Sequence, residues 1–310
     1  QGLSGSPTSF CGTKPGERAP RAAPSITGME RIVIDMAGTL YLVPTPIGNL
    51  GDISQRCRDT LAAADFIAAE DTRVSLKLLN HLELKKPLVS YYEHNQVESG
   101  QKILKRLLDG ETCALVSDAG SPAISDPGEA LVAQCAAAGV TACATPGPCA
   151  VITALSVSGL PTGRFTFEGF LSTNRKSREE HLSSLAGEQR TMIFYEAPHK
   201  LPATLEDLAK VFGEDRRISL CRELTKLHEE IFRTTLGGAI ARCREVAPRG
   251  EYVLVVEGAA PPPPETVTLE EALALVEEAI AKGASRKDAA KDVAKATGFS
   301  KNILYSQSVK

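Results

Sequence analysis

Three loops of small residues and prolines are the parts of this sequence best suited to binding a ligand. They span residues 44–49, 118–128 and 145–150, and each follows a short apolar run. Open α/β sheets bind ligands in such loops, at the carboxyl ends of parallel strands. One loop of this kind is typical of a tight turn, whereas three in one domain predict a ligand cleft. The first strand is not followed by GxGxxG and no GxxxxGK[ST] occurs, so a dinucleotide site and a P-loop are not supported.

Strands that alternate with helices must position these loops. In the first part of the chain, strands are predicted at 39–43, 64–69, 87–91, 112–117 and 140–144. Asp52 is expected to cap a helix over about 53–64. The alternation predicts an α/β domain over 37–148 with a largely parallel sheet.

A second α/β domain, with a mixed sheet, is predicted over 149–259. Its strands are expected near 165–170, 191–195, 218–221, 231–235 and 252–256. Residues 260–310 are predicted to form a proline linker and a basic helical module. In that segment, 265–280 carry five Glu and no base, whereas 281–310 carry seven Lys or Arg and two Asp. A tight turn at 297–300 resembles that of a helix-turn-helix, although a solvated helical appendage is an equal alternative.

Composition excludes several classes of protein. With 43% hydrophobic and 24% charged residues the chain is not globally disordered, and a net charge of −3 excludes a polybasic nucleic-acid coat. Only 5% of the residues are aromatic and Trp is absent, which disfavours RNA binding on an aromatic stacking platform. No apolar run approaches the ~18 residues of a membrane span.

The cysteines and the N-terminal segment indicate the compartment. The eight cysteines include no CxxC pair, so no metal site is expected, and most lie in apolar segments typical of reduced thiols. Since no signal peptide is recognised, we expect a cytoplasmic protein. Residues 1–36 are predicted to be a disordered extension, because 1–28 contain five Gly and four Pro, with a transit peptide as the alternative.

Several blocks of the sequence resemble one group of enzymes. The blocks are LVPTPIGNL (42–50), AEDTR (69–73), LVSDAGSP (115–122), SDPG (125–128), PGPCA (146–150) and FYEAPH (194–199). In this order they resemble the bacterial cytidine 2′-O-methyltransferases of small-subunit (16S) ribosomal RNA, which have the tetrapyrrole-methylase fold of class III methyltransferases. The resemblance covers about 39–258 and departs at Ser121, where that family usually has Thr. It implies two α/β domains with S-adenosylmethionine in the cleft between them, and a homodimer.

The resemblance also implies which residues hold this cofactor. The residues are Pro46, Ile47 and Gly48 from the first loop, Asp118, Gly120, Ser121, Pro122 and Ile124 from the second, Cys149 and Ala150 from the third, and Tyr195, Arg222 and Glu251 from the second domain.

Methyl transfer to a ribose hydroxyl requires in-line placement of the reactants and removal of a weakly acidic proton. Glu70, Asp71 and Glu196 are the candidates for the catalytic base. Each has a structural alternative. Asp71 can cap a helix, Glu70 can pair with Arg73, and Glu196 precedes a segment that starts a helix.

RNA contacts need cations near the cleft mouth. The candidates are Arg73, Arg175, Lys176, Arg178, His199 and Lys200. Two other functions stay open: methylation of a tetrapyrrole or another small substrate by the same fold, and RNA binding without catalysis. The basic module argues against the first, and the three intact loops argue against the second.

Overall fold

The computed structural model describes residues 37–261 and 267–308. The described residues form two compact units. The first unit contains 37–157 together with Cys221–Glu230, and the second contains Ser158–Leu220, 231–261 and 267–308. The predicted N-terminal extension and most of the proline linker lie outside the described residues.

A five-stranded sheet with the order β3-β2-β4-β1-β5 forms the centre of the first unit. Its strands are β1 (Thr39–Leu42), β2 (Phe66–Ala69), β3 (Leu88–Ser90), β4 (Cys113–Val116) and β5 (Thr141–Ala144). All of its strand pairs are parallel, which confirms the predicted parallel sheet. The helices are α1 (Gln55–Ala63), α2 (Thr72–His81), α3 (Gln96–Leu108), α4 (Glu129–Ala137) and α5 (Ala150–Val157).

Both faces of this sheet are covered, and β2 and β4 are apolar and buried at every position. In β2, Phe66 packs in one hydrophobic cluster and Ile67 packs in a second cluster on the opposite face. The start of α1 differs from the prediction. Asp52 ends a short 3-10 turn, and Ser54 caps the helix by accepting a hydrogen bond from the Cys57 amide at 3.1 Å.

The strand order defines where a ligand is expected in this unit. The connections that leave β1 and β2 run toward the β3 edge, whereas the connection that leaves β4 runs toward the β5 edge. β4 lies between β2 and β1, and the connection that leaves β4 runs in the direction opposite to the connections that leave these two neighbours. The carboxyl end of β4 is therefore a switch point of the sheet. In open α/β sheets, ligands bind at such switch points.

A mixed sheet with the order β6-β7-β10-β8-β9 forms the second unit, with the ends of β8 and β9 assigned to the first unit. Its strands are β6 (Phe165–Phe170), β7 (Thr191–Glu196), β8 (Arg217–Arg222), β9 (Glu230–Thr235) and β10 (Tyr252–Val256). The prediction of a mixed sheet is confirmed, since β6 and β7 are parallel whereas β7 and β10 are antiparallel. The helices are α6 (Arg175–Ser184), α7 (Leu201–Phe212) and α8 (Leu236–Glu245), and their apolar residues share a core with Phe194 and Leu254.

The predicted C-terminal helices are also present, as α9 (Leu269–Ala281), α10 (Arg286–Thr297) and α11 (Lys301–Gln307). Val276, Ala290 and Leu304 belong to a small core that these helices share. Gly298 ends α10 in the left-handed conformation (φ 76°), which permits the tight turn before α11. Among the described residues, no helix has the length and apolar character needed to cross a membrane.

Candidate functional site

The loops after β1 and β4 are joined by backbone hydrogen bonds. The Thr45 amide donates to the Gly120 carbonyl at 2.9 Å, and the Gly120 amide donates to the Thr45 carbonyl at 3.0 Å. The buried Thr45 hydroxyl donates to the Ser117 carbonyl at 3.2 Å. A Cβ added at Gly120 would lie 3.3 Å from Ile47 Cγ2, so the two loops are in close contact.

The loop after β5 packs against both of the others. The Thr145 amide donates to the Leu42 carbonyl at 3.0 Å, and the Ser121 hydroxyl donates to the Pro148 carbonyl at 3.1 Å. Gly147 lies so close to Pro44 that an added Cβ would be 2.7 Å from the proline Cβ. The three predicted loops therefore converge at the carboxyl edge of the first sheet.

A cavity of about 350 Å³ opens where these loops meet. It is lined by Leu42, Pro44, Ser121, Pro122, Ala123, Ile124, Glu129, Val132, Ala144 and Thr145. This volume lies within the range of small-molecule sites, which are mainly apolar with a few polar groups. Three of the residues that the sequence analysis assigned to the cofactor, Ser121, Pro122 and Ile124, contribute to the lining.

Backbone strain marks the loop after β4. Ala123 (φ 68°) and Ser125 (φ 60°) adopt the left-handed conformation, which costs a non-glycine residue about 1–3 kcal/mol. Such strain persists when surrounding contacts impose it, and it concentrates at ligand sites. Neither the strain nor the role of Glu129, which lines the cavity from the first turn of α4, was predicted from the sequence.

Asp71 is held in a structural role. Its carboxylate caps α2 and accepts hydrogen bonds from Arg73: from the amide at 2.8 Å, from Nε at 3.0 Å and from Nη2 at 2.6 Å. These bonds lower the pKa of Asp71 to about 2. The helix-cap alternative is therefore confirmed, and the proposed pairing of Arg73 with Glu70 is wrong, because Arg73 pairs with Asp71.

Glu70 belongs to a group of carboxyls with raised pKa values at the switch point. Burial raises the pKa of Glu70, and the charges of Asp126 and Asp118 raise it further. Burial also raises the pKa of Asp118, which accepts a hydrogen bond from the Asp71 amide at 3.1 Å. The pKa of Asp126 is raised to about 6, mainly by burial. Asp126 was not predicted as a site residue, although it lies in the SDPG block.

Both carboxylate oxygens of Glu196 are engaged inside the second unit. One oxygen accepts from the Thr204 hydroxyl at 2.6 Å and the other from the Ala197 amide at 2.8 Å. The side chain is only 5% exposed. Since α7 begins at Leu201, the hydrogen bond from Thr204 connects Glu196 at the end of β7 to the first turn of this helix. These contacts favour a structural role for the Glu196 carboxylate over a role in proton transfer.

The remaining predicted cofactor residues lie in different places. Gly48 contacts the segment after β8, because a Cβ added there would be 2.4 Å from Lys226 Cγ and 2.9 Å from the Thr225 hydroxyl oxygen. Arg222 donates to the His228 carbonyl at 3.2 Å. Cys149 directly precedes α5, which begins at Ala150; Tyr195 is in β7, and Glu251 directly precedes β10.

The segment that contacts Gly48 escaped the sequence analysis apart from Arg222. Glu223 (φ 49°) and Thr225 (φ 66°) are both left-handed, and the Lys226 ammonium contacts the Glu223 carboxylate at 2.9 Å. The feature that marks this segment is backbone strain at two residues within three positions. The residue types alone do not reveal that strain, so the sequence did not predict the segment.

The cations predicted to bind RNA differ in their partners. Arg73 is 87% exposed on its side chain and paired with Asp71. On α6, Arg175 pairs with Glu179, Lys176 with Glu180, and Arg178 with Asp207. His199 is exposed and Lys200 is partly buried. Exposed pairs such as the first two on α6 contribute little stability, so a phosphate can compete for them.

Comparison with known proteins identifies what the chain is similar to. Residues 39–240 match the family described as Tetrapyrrole (Corrin/Porphyrin) Methylases. A protein from Synechocystis sp. named Ribosomal RNA small subunit methyltransferase I is 47% identical over 272 residues, which cover 88% of this chain and 98% of that protein. Proteins of the same name from Halalkalibacterium halodurans and Haemophilus influenzae are 47% and 45% identical, over 88% and 87% of this chain and 95% and 96% of their own lengths.

Solved structures share the fold at low sequence identity. Diphthine synthase aligns with a TM-score of 0.55 and 14% identity, over 71% of this chain and 90% of that one. The methyltransferase CobJ aligns with a TM-score of 0.55 and 22% identity, over 72% and 95%. Uroporphyrin-III C-methyltransferase from Thermus thermophilus, complexed with S-adenosylhomocysteine, aligns with a TM-score of 0.51 and 18% identity, over 71% and 97%.

Proposed function

We propose that this chain, which belongs to the tetrapyrrole methylase family, transfers a methyl group from S-adenosylmethionine to the ribose 2′-hydroxyl of a cytidine in small-subunit ribosomal RNA. The observation that carries the proposal is the convergence of three small-residue loops around a cavity at the switch point. The choice of ribosomal RNA over other substrates is supported by the names of relatives that are 45–47% identical over most of the chain.

The residues at the cavity fit a methyl donor of this kind. Its lining is apolar except for a few groups such as Ser121, Thr145 and Glu129, as expected of a site that excludes water from a reactive ligand. Ser121, Pro122 and Ile124 are the side chains we assign to holding the donor in the first unit. When bound, S-adenosylmethionine supplies an electrophilic methyl group on a sulfonium.

Proton removal is assigned to Glu70. Asp71 is unsuited because the Arg73 hydrogen bonds lower its pKa to about 2, and Glu196 is unsuited because both of its oxygens already accept hydrogen bonds. Glu70 follows β2 at the switch point, and burial raises its pKa. A carboxylate with a raised pKa accepts a proton more readily, which suits a general base.

The substrate and partners complete the proposal. The RNA phosphates would be contacted by Arg73, by Arg175, Lys176 and Arg178 of α6, and by His199 and Lys200, with the basic C-terminal helices as a further contact. A homodimer that acts on ribosomes in the cytoplasm is part of the same proposal, and sedimentation analysis tests the dimer.

The test is a methyl-transfer assay with the full chain. Purified protein is incubated with S-adenosylmethionine labelled in the methyl group and with assembled small subunits, naked 16S RNA or a precorrin-type tetrapyrrole. The RNA is then digested and its nucleosides are separated by mass. We expect label in 2′-O-methylcytidine.

Three other results contradict the proposal. The first two are label on a base of the RNA and label on the tetrapyrrole, because each assigns a different methyl acceptor. The third is donor binding without methyl transfer to any of the three acceptors, which leaves an RNA-binding protein without catalysis. The Ser121→Trp variant, whose side chain fills the cavity, is the control for label that arises without the site.

A further inference from the structure

Three aromatic rings meet at one edge of the second sheet. The Tyr195 ring packs edge-to-face against Phe167 (centroids 5.0 Å apart) and against Phe170 (5.4 Å apart). Edge-to-face contacts at these distances are favourable and fix the ring orientation. Glu168, between the two phenylalanines in sequence, instead reaches His181 of α6 at 2.9 Å. The aromatic cluster therefore lies on the face of β6 opposite to α6.

An irregularity in β6 brings Phe170 into this cluster. Phe167 is opposite Ile193, but Gly169 is opposite Phe194 and Phe170 is opposite Tyr195, so the register shifts by one residue. Gly169 has a φ of 65°, which a residue with a side chain rarely adopts. Without the shift, strict alternation would direct Phe170 away from Tyr195. Bulges of this kind redirect side chains, and they are over-represented next to functional sites.

Phe170 remains open to solvent although its orientation is fixed. The residue is 59% exposed, whereas Phe194 on the neighbouring strand is fully buried. The Tyr195 ring contacts Phe170 edge-to-face, and more than half of the Phe170 surface stays exposed. Exposed aromatic surface of this kind is typical of binding sites.

Cations lie at the same end of the sheet as this ring. Because β6 and β7 are parallel, the loops that follow them begin at the same end of the sheet. Arg175 and Lys176 come five and six residues after Phe170, and their side chains are 79% and 85% exposed. His199 and Lys200 follow Tyr195 by four and five residues. An exposed aromatic ring with cations at the same end of the sheet is a combination that binds unpaired nucleotides.

We propose that the exposed face of Phe170 stacks on a nucleobase of the RNA substrate, with Tyr195 and Phe167 as positioning residues behind it. The inference rests on the proposed function. A nucleotide whose ribose must enter an enzyme site takes its base out of the stack, and an aromatic ring replaces the stacking that the base loses. The low aromatic content of the chain disfavours an extended platform, but a single displaced nucleotide requires only one ring.

The test compares three variants of the full chain in the methyl-transfer assay with assembled small subunits. Phe170→Leu keeps an apolar side chain but removes the ring, and Phe170→Trp restores a ring. Phe165→Leu, in the same strand but with no ring contact to Tyr195 described, is the matched control. Loss of one stacking contact predicts a KM for subunits raised roughly 5- to 150-fold in Phe170→Leu. Donor affinity, measured by calorimetry, and melting temperature stay at wild-type values.

Recovery of KM in Phe170→Trp, with Phe165→Leu unchanged throughout, completes the expected pattern. A KM within twofold of wild type in Phe170→Leu overturns the inference. So does a KM change that follows a shift in sedimentation, because the ring then belongs to a contact between two copies of the chain. If the wild-type protein binds the donor but methylates no subunits, the proposed function itself fails, and the inference fails with it.

Discussion

Replacing Gly147 by alanine tests whether the loop after β5 forms part of the cofactor site. The added Cβ would lie 2.7 Å from Pro44 Cβ, about 0.7 Å closer than the 3.4 Å at which ordinary contacts begin. Pro44 cannot swing away, because its ring is closed onto the backbone. The two loops must therefore separate. Overpacking of this kind costs about 1–3 kcal/mol.

That strain is divided between stability and ligand affinity. If all of it opposes closure of the loops on the donor, the Kd for S-adenosylmethionine rises roughly 5- to 150-fold. If it acts on the free protein, the melting temperature falls by about 2–4 °C for each kcal/mol. Calorimetric titration with the donor measures the first quantity, and a thermal melt measures the second.

The control is Gly163→Ala, because a Cβ at that position meets nothing within 4 Å. We expect it to bind the donor and to melt as the wild-type protein does. A Gly147→Ala protein with wild-type affinity, whatever its melting temperature, would show that the loop after β5 does not contribute to the site.

Four further outcomes follow from the structure. Ser121→Trp fills the cavity and should abolish donor binding, and micromolar affinity in this variant would remove the loop after β4 from the site. Glu70→Gln should keep donor affinity while the single-turnover rate falls roughly 10²- to 10⁴-fold, and a fall below about tenfold would leave placement as the main source of rate. Burial raises the pKa of Asp126 from 3.8 to about 6, so the folded state binds the extra proton between these values and stability decreases as pH rises through this window. The melting temperature of the wild-type protein relative to Asp126→Asn should therefore be higher at pH 5 than at pH 7.5, and an equal difference at both pH values contradicts the assignment. Deleting residues 261–310 should leave donor affinity unchanged, weaken subunit binding and flatten the slope of log affinity against log salt, whereas unchanged subunit affinity at low and high salt would make the basic helices a solvated surface.

Alternation and loop composition were sufficient to predict the two sheets and the convergence of the three loops. Each prediction used local signals, such as the apolar runs of β2 and β4 and the prolines at the ends of strands. The cap of α1 was assigned to the wrong residue, because Asp52 and Ser54 are both good capping residues at plausible positions. The two residues are distinguished only by the 3-10 turn, which includes Asp52 and so leaves Ser54 as the cap.

The site was less predictable, because its properties arise from residues distant in sequence. The sequence shows that Arg73 follows both Glu70 and Asp71, but not which carboxylate it pairs with. The raised pKa of Asp126 depends on burial, which no local pattern records. The contact of Gly48 with Lys226 joins segments about 180 residues apart, so sequence spacing gave no reason to consider it.

The three candidate carboxylates differ in the hydrogen bonds that their oxygens accept. Of the three predicted candidates, the structure commits Asp71 to Arg73 and to the cap of α2, and commits Glu196 to Thr204 and Ala197. Glu70 is the candidate that we propose for proton transfer, and general-base catalysis typically contributes roughly 10²- to 10⁴-fold in rate. Placement of two reactants in near-attack geometry lowers the activation barrier by about 7–11 kcal/mol. This effect on the rate is larger than that of general-base catalysis. The left-handed residues of the loop after β4 and the close approach of Gly147 to Pro44 favour such placement, because closely packed loops resist displacement. Removal of Glu70 should therefore slow the enzyme and leave it active, whereas Ser121→Trp, which fills the cavity, should abolish activity.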